Sequence, residues 1–296
     1  MTTLEDTPGV ALASDRLIDL RPLSLTLLSP RAMAAQPGGF VTRRLGQGME
    51  MADTRAYVAG DDIRHLDRAA TARTGRLHIR KFQEERDRVS LLIADFRAPM
   101  FWGLRRVFRS VAAAEVLALI GWQRVAEGGR VGLLAITPSG PVIVPPRGRI
   151  RGMLDVIGGL VDAHERALDQ IRSHPTALSL DQALIPVDRL VPSGAELVVA
   201  SGFDQTGPGL TDRLDRLARR RRPRLVLVTA AEAKDLPAGR YPMRLDGQRR
   251  VQVALGSRGA EHNPERTIAG RAAVVVNASD PVQAMAARLA GDAEAA

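Results

Sequence analysis

The sequence predicts an α/β fold, a mostly parallel, doubly wound sheet with an N-terminal polar extension. Two observations predict it. From residue 89 onward, short continuous apolar runs alternate with longer amphipathic stretches, the pattern of strands buried on both faces and joined by covering helices. Arg130–Thr137 is followed at once by Pro138-Ser139-Gly140 and a second run, Gly140–Val144. That reads as a hairpin placing one antiparallel strand at the sheet edge.

The elements follow in order. Residues 1–13 are polar and read as disordered, and Pro22 and Pro30 limit Arg16–Ala35 to short helical pieces. Gln36–Gly39 (QPGG) is a breaker. Val89–Asp95 is an unbroken apolar strand. Leu104–Glu127 has a helical pattern that stops at Gly128-Gly129. Ile150–Ile171 is a second long helix, with Gly158-Gly159 as its weak point, and Ser179–Leu190 is a shorter one. Then come a strand at Glu196–Ser201, a helix at Thr211–Arg221 and a strand at Arg224–Thr229. Strands at Val251–Leu255 and Ala272–Asn277 and a helix at Pro281–Ala290 complete the chain. The division expected is 1–38, flexible or partly helical; 39–88, a charged segment; and 89–296, the α/β domain.

Composition narrows the function. The 296 residues are 45% apolar but only 3% aromatic, so the core rests on Leu, Val, Ala and Ile. There is no Cys, which excludes disulfides, thiolate metal sites and a Cys nucleophile. No stretch reaches the roughly 18 consecutive apolar residues of a membrane span, and the start, MTTLEDTPGV, lacks a basic n-region. A cytoplasmic protein is the expectation. The formal charge of +9 is carried almost entirely by Arg, which raises a nucleic-acid partner. The densest run, Arg219–Arg222, ends a helix pattern, where cations complement the helix dipole. It has no interleaved aromatics to stack bases.

The motif search excludes more than it finds. Nothing follows the first strand that reads GxGxxG, and there is no GxxxxGK[ST]. His65, His78, His164, His174 and His262 show no zinc-binding spacing. Ser139 lacks a GxSxG elbow and reads as a hairpin turn. Trp102 and Trp122, both in the long helix pattern, read as core. In doubly wound sheets ligands sit beyond the carboxyl ends of strands where the strand order reverses. Asp95, the loop near Thr176, and Ser201–Asp204 are the strand ends that matter here.

Gly48–Glu85 is dense in ionisable residues of both signs and runs into the first strand. Gly60-Asp61-Asp62 lacks the spacing of a calcium loop and reads as a turn with Asp61 or Asp62 capping Ile63–Asp67. Arg64, Arg73 and Arg80 are natural partners for Asp61, Asp62, Asp67 and Glu84. The readings are a structural staple, a partner-docking surface, or catalysis, with the staple favoured.

Tyr57, Gly60-Asp61-Asp62, Arg64, Asp67, Ala72-Arg73-Thr74-Gly75, Arg80, Glu84 and the strand ending at Asp95 carry a resemblance. In that order and spacing the chain resembles the bacterial domain-of-unknown-function-58 family, over roughly residues 40–230. Arg68 stands where members usually carry Trp. The resemblance implies a von Willebrand factor A-like domain and a MoxR-type AAA+ ATPase as partner. It implies an adaptor or assembly role on a client protein, and no enzymatic activity.

Von Willebrand A domains often hold a divalent cation at a metal-ion-dependent adhesion site with an Asp-x-Ser-x-Ser motif, a Thr and a further Asp. Matched residue by residue, Asp95 is kept, Arg97 and Pro99 replace the two Ser, and Thr176 can stand for the Thr. The third loop reads Ser201-Gly202, with Asp204 two residues late. A +2 ion about 5 Å from a guanidinium meets several kcal/mol of repulsion even at an effective dielectric near 20. The expectation is a degenerate site with no cofactor, in which Arg97 pairs with Asp95 or Asp204. A magnesium ion on Asp95, Thr176 and Ser201 is the alternative. From other classes, the alternatives are a nucleic-acid-associated protein and a cation-dependent hydrolase using Asp95, Asp204 and Glu84.

Overall fold

A computed structural model describes residues 9–26, 51–58, 66–82, 88–103, 105–171, 178–230, 239–245, 249–255 and 267–295. Within these, β3 (Val89–Asp95) is an interior strand of a seven-stranded sheet. The other strands are β4 (Arg130–Thr137), β5 (Gly140–Gly148), β6 (Glu196–Ser201), β7 (Arg222–Thr229), β10 (Thr267–Ile268) and β11 (Arg271–Asn277). Their order is β10-β11-β7-β6-β3-β4-β5. The five central strands are parallel, and the edge strands β5 and β10 are antiparallel to their neighbours. The mixed α/β class and the β4–β5 hairpin are as the sequence predicts. Every residue of β3 is buried, because side chains alternate between two covered faces. The chain leaves β3 towards β4 on one side and returns to β6 on the other, so strand order reverses at the carboxyl ends of β3 and β6.

One face is covered by α4 (Arg109–Ala126), α5 (Arg149–Gln170) and α9 (Val282–Ala295), the other by α6 (Leu180–Ala183), α7 (Val187–Leu190) and α8 (Leu210–Ala218). The first face also takes in α1 (Ser14–Ile18) and α2 (Leu20–Thr26). Leu12, Leu17 and Leu20 belong to the same core cluster as α4. The Trp122 indole donates to the Leu17 carbonyl at 3.0 Å. Residues 9–13, read as disordered, include buried Leu12 and Gly9, whose carbonyl accepts from Phe108 N–H. Pro22 fits in α2 because it falls within the first turn, where its missing N–H is not needed.

Several boundaries differ from the sequence reading. α4 starts at Arg109, not Leu104, because Arg109 N–H donates to the Trp102 carbonyl and the chain before it turns back on itself. Trp102 is consequently off the helix and 41% exposed, whereas Trp122 is core. Ser179–Leu190 is two short helices, broken where Pro186 cannot continue the first. The strand around Val251 is β9 (Arg249–Leu255), which pairs with β8 (Gly239–Leu245) as a separate antiparallel ribbon outside the main sheet. A second ribbon, β1 (Met51–Ala56) with β2 (His78–Phe82), flanks α3 (Arg68–Thr74).

Gly158 and Gly159 do not interrupt α5. Their environments are opposite. A Cβ on Gly159 would lie 2.6 Å from Val144 Cγ2 and 2.9 Å from Leu133 Cδ2, whereas one on Gly158 would meet nothing within 4 Å. Gly159 lets the helix approach the sheet, and Gly158 faces solvent and only loosens the helix. Gly159→Ala is therefore expected to destabilise by about 1–3 kcal/mol through overpacking. Gly158→Ala is expected to stabilise by about 1 kcal/mol through helix propensity. Urea unfolding of dilute protein checks both, and shifts of the same sign would contradict this seating of α5.

Candidate functional site

Asp95 ends β3 and Ser201 ends β6, so their side chains meet in the crevice where the strand order reverses. Arg97, two residues past Asp95, folds back onto it. Its backbone N–H and Nε donate to Asp95 Oδ1 at 3.1 and 2.8 Å, and its Nη2 donates to Oδ2 at 2.7 Å. Ser201 Oγ donates to Oδ2 at 2.6 Å and accepts from Phe203 N–H at 2.8 Å. The remaining guanidinium protons reach three carbonyls. Nη1 donates to Leu178 and Gln205 at 3.1 and 3.0 Å, and Nη2 to Asp204 at 3.1 Å. Asp95 is 2% exposed and Arg97 1%. A carboxylate has about four acceptor sites and a guanidinium five donors. Here every one is used, which is what lets a charged pair be buried at all.

Asp204 contributes its carbonyl to Arg97 and its carboxylate elsewhere. Arg109, the first residue of α4, bridges to Asp204 Oδ2 at 2.8 Å, donates from Nε to the Val228 carbonyl at 2.8 Å and from Nη1 to the Pro99 carbonyl at 3.3 Å. A Cβ at Gly202 would collide with the Arg109 guanidinium and the Asp204 carboxylate. A side chain at this place in the third loop, where a metal-binding acid would stand, would have to displace the Arg109–Asp204 pair. Gly202 N–H instead contacts Met100 Sδ at 3.1 Å. Pro99 lies in a 3₁₀ turn, Ala98–Met100, and offers only its carbonyl, to Arg109.

The loops bind one another as well. Gln205 O also accepts from Leu180 N–H, Thr206 O accepts from Asp181 N–H, and Gly209 N–H donates to Asp181 Oδ2 at 2.9 Å. The Ser179 hydroxyl donates to Asp181 and, with the Gly209 N–H, holds that carboxyl below its usual range. Phe203 and Gln205 take left-handed backbones, φ 53° and 50°. Side chains there cost about 1–2 kcal/mol each, and the strain points the Asp204 and Gln205 carbonyls at Arg97.

A divalent cation does not fit this arrangement. Both Asp95 oxygens already accept two hydrogen bonds, a fixed cation occupies the crevice, and no cluster of three or more His, Asp or Glu placed to hold a metal occurs among the described residues. Of the sequence candidates, the structure brings together Asp95, Arg97, Ser201, Gly202, Asp204 and Pro99. Thr176 lies outside the described residues.

The charged N-terminal segment is only partly described. Asp67 caps a helix. Its carboxylate accepts from Ala69 and Ala70 N–H at 3.0 Å each at the start of α3. Gly75 ends that helix with φ 69°, and Thr74 donates to the Ala70 carbonyl. Tyr57 N–H donates to the Leu77 carbonyl, and Arg80 pairs with Thr54 across the β1–β2 ribbon. Arg73 and Arg68 are exposed. Gly60, Asp61, Asp62, Arg64 and Glu84 lie outside the described residues.

Sequence reasoning missed the layer beneath the crevice. Ser110 Oγ lies 3.0 Å from His164 Nε2, both fully buried, with Phe96 edge-on and Phe101 tilted against the imidazole. Ser–His contact is the geometry of an activated nucleophile, but a sealed pair cannot meet a substrate. Burial pushes His164 down to about 4.

The chain belongs to the family described as "Protein of unknown function DUF58", whose family model matches residues 53–252. It is also similar to uncharacterized proteins of Mycobacterium bovis and Mycobacterium tuberculosis, 31% identical over 102 residues, 34% of this chain and 32% of each of theirs. The match thus spans about a third of the length of these curated relatives.

Two outcomes follow. Arg97→Ala leaves the Asp95 carboxylate buried without its partner and is expected to cost about 3–5 kcal/mol; a loss under 1 kcal/mol in urea unfolding would show the pair is not sealed. His164 takes up its proton at about 4 when folded and near 6.5 when unfolded. Between those values the unfolded chain binds more protons, so stability falls as pH drops from 6.5 towards 4, by about 3 kcal/mol in total. Glu196 is desolvated by burial, yet pairing with Arg124 holds it low overall, so its own contribution is lost from the usual carboxylate range downward, where the unfolded chain takes up the proton first. His164→Gln should flatten stability between pH 6.5 and 4.5. An unchanged pH slope would rule His164 out as its source.

Proposed function

We propose that this chain is a non-enzymatic adaptor or assembly factor that works with a MoxR-type AAA+ ATPase through protein–protein contacts. In this reading the sheet is of the von Willebrand factor A type and its metal-ion-dependent adhesion site is degenerate. One observation carries the reading: Arg97 closes the crevice, using all five of its donors internally. Catalysis needs a group that can touch substrate. At this crevice Asp95, Arg97 and Ser201 are each committed to one another and buried.

What the closed crevice leaves outside is a surface for binding. Leu178, whose carbonyl Arg97 holds, is 60% exposed, Trp102 is also exposed, and Phe203 is half-buried against the sheet core. Exposed aromatic and aliphatic residues around a rigid polar floor are the usual anchors of protein interfaces. The ATPase as partner comes from the family resemblance carried by Gly60-Asp61-Asp62, Arg64, Asp67 and Ala72–Gly75. Among the described residues no helix is long and apolar enough to cross a membrane.

The test is capture of partners by the tagged full chain from its own cells, with and without ATP. A MoxR-type ATPase should be retained in a nucleotide-dependent way and weakened by Leu178→Asp or Trp102→Ala, both surface changes. Recovery of no AAA+ ATPase under either condition would sink the partnership. Calorimetric titration with Mg²⁺ or Mn²⁺ tests the degenerate site. Saturable micromolar binding that vanishes in Asp95→Ala would show an intact metal site instead.

A further inference from the structure

We propose that the solvent face of α5 is a self-association surface on which a second copy of this chain docks antiparallel about a two-fold axis midway between Leu154 and Gly158. Three features of that face stand open to solvent among the described residues. Ile150 and Leu154, one helical turn apart, are 44% and 43% exposed. Gly158, the next position along the same stripe, is exposed, and a Cβ there would touch nothing. An exposed mid-helix glycine weakens the helix without serving the packing of this chain. What it does leave is room for another backbone or side chain to come close.

The order of residues along the stripe identifies the occupant. Moving outward from that midpoint, Leu154 is matched by Gly158, and Arg151 by Val161 with Asp162 and Glu165 beyond it. Antiparallel pairing through a two-fold axis sets each residue opposite its match on the second copy. Leu154 then seats over the glycine gap of the partner helix, and the reverse contact repeats it. The Arg151 stem covers Val161, and its guanidinium reaches the acids one turn on. The basic end is reinforced by Arg147, whose guanidinium lies along α5 at 2.8 Å from Asp155, and by exposed Arg149. The acidic end carries Asp162, Glu165 and Asp169, with Arg166 already paired to Asp162 at 2.8 Å, so Glu165 and Asp169 are the acids left to a partner. A foreign acidic helix would complement only the first half of this face. A second copy complements both halves with the same residues. The glycine permits the close axial approach that such a short contact needs. A helix-pair interface falls at the small end of specific interfaces, so the dimer is expected to be weak and concentration-dependent.

Sedimentation equilibrium of the full chain over about 5–500 µM, the range for a weak complex, tests this. Wild type should shift from monomer to dimer across the series. Leu154→Glu and Gly158→Gln should each weaken association at least tenfold. Gly158→Gln also raises helix propensity and enters open space. Its melting temperature in dilute solution should therefore hold or rise by about 3 °C, which separates lost docking from lost folding. Arg151→Glu should weaken the dimer, and adding Glu165→Arg should restore it. A wild type that stays monomeric throughout overturns the proposal. So does a dimer that Gly158→Gln leaves intact, or a charge exchange that fails to restore association.

Discussion

The buried Asp95–Arg97 pair is the constraint on which the carboxyl end of the sheet depends. Taking two charges out of water costs several kcal/mol per ion, recovered only if each remaining donor and acceptor finds a partner. Satisfying that demand fixes the surroundings. Ser201 is held at the end of β6, the Leu178 carbonyl is drawn in from the segment before α6, and the Asp204 and Gln205 carbonyls are turned inward. The left-handed backbones of Phe203 and Gln205 are a consequence of that demand. Arg109 extends it to β7 through the Val228 carbonyl. The ends of three adjacent strands are thus set by one guanidinium and seconded by another.

The same logic recurs on the first helical face. Glu115 is fully buried among the apolar residues of the middle of α4. Arg106 meets both its oxygens at 3.0 and 2.7 Å, and Arg16 reaches it from α1 at 2.7 Å. Arg106 also donates to the Ala278 carbonyl just before α9. One carboxylate therefore joins the beginning and end of the described chain to its central helix. Arg221 donates to Asp188 and to the Val191 carbonyl, closing the end of α7. The arginine richness that raises a nucleic-acid partner is in part internal wiring. Its planar fork suits directional bonds to carboxylates and carbonyls that a lysine cannot match. The formal +9 overstates how much positive charge is available to a polyanion.

Local pattern made the central strands, the edge hairpin and the long helices legible, because each buries a continuous run whose period is visible without tertiary knowledge. It failed where partners distant in sequence decide. The start of α4 is set by the Trp102 carbonyl and by Gly9, 99 residues before Phe108 in the chain numbering. β9 has strand pattern, but its pairing with β8 and not with the main sheet is a matter of register that no single segment encodes. β1 and β2 are masked by their charges. At the crevice, Asp95, Arg97, Ser201, Gly202 and Asp204 were readable as a group because strand ends converge at an order reversal. That Arg97 would take the Asp95 carboxylate but only the carbonyl of Asp204 was not, since Asp204's carboxylate is claimed by Arg109. Arg109 opens a helix within no motif, and only the close approach at Gly202 reveals its role.

Under the proposed function, carrying the crevice's positive charge on the chain has a consequence for control. A bound cation can leave, or exchange its open coordination position for an acidic group of a partner. Arg97 can do neither, since its five donors are spent on one carboxylate and three carbonyls. Contacts made by this face are then set by shape and apolar area around a rigid floor, and are indifferent to divalent-ion concentration. Any switch must act through elements not locked to Asp95. The exposed side chains of Trp102 and Leu178 meet that condition at the rim, and the solvent face of α5 meets it on the flank. Rigidity at the centre and freedom at those two places are what an adaptor that grips one protein while being worked by another requires.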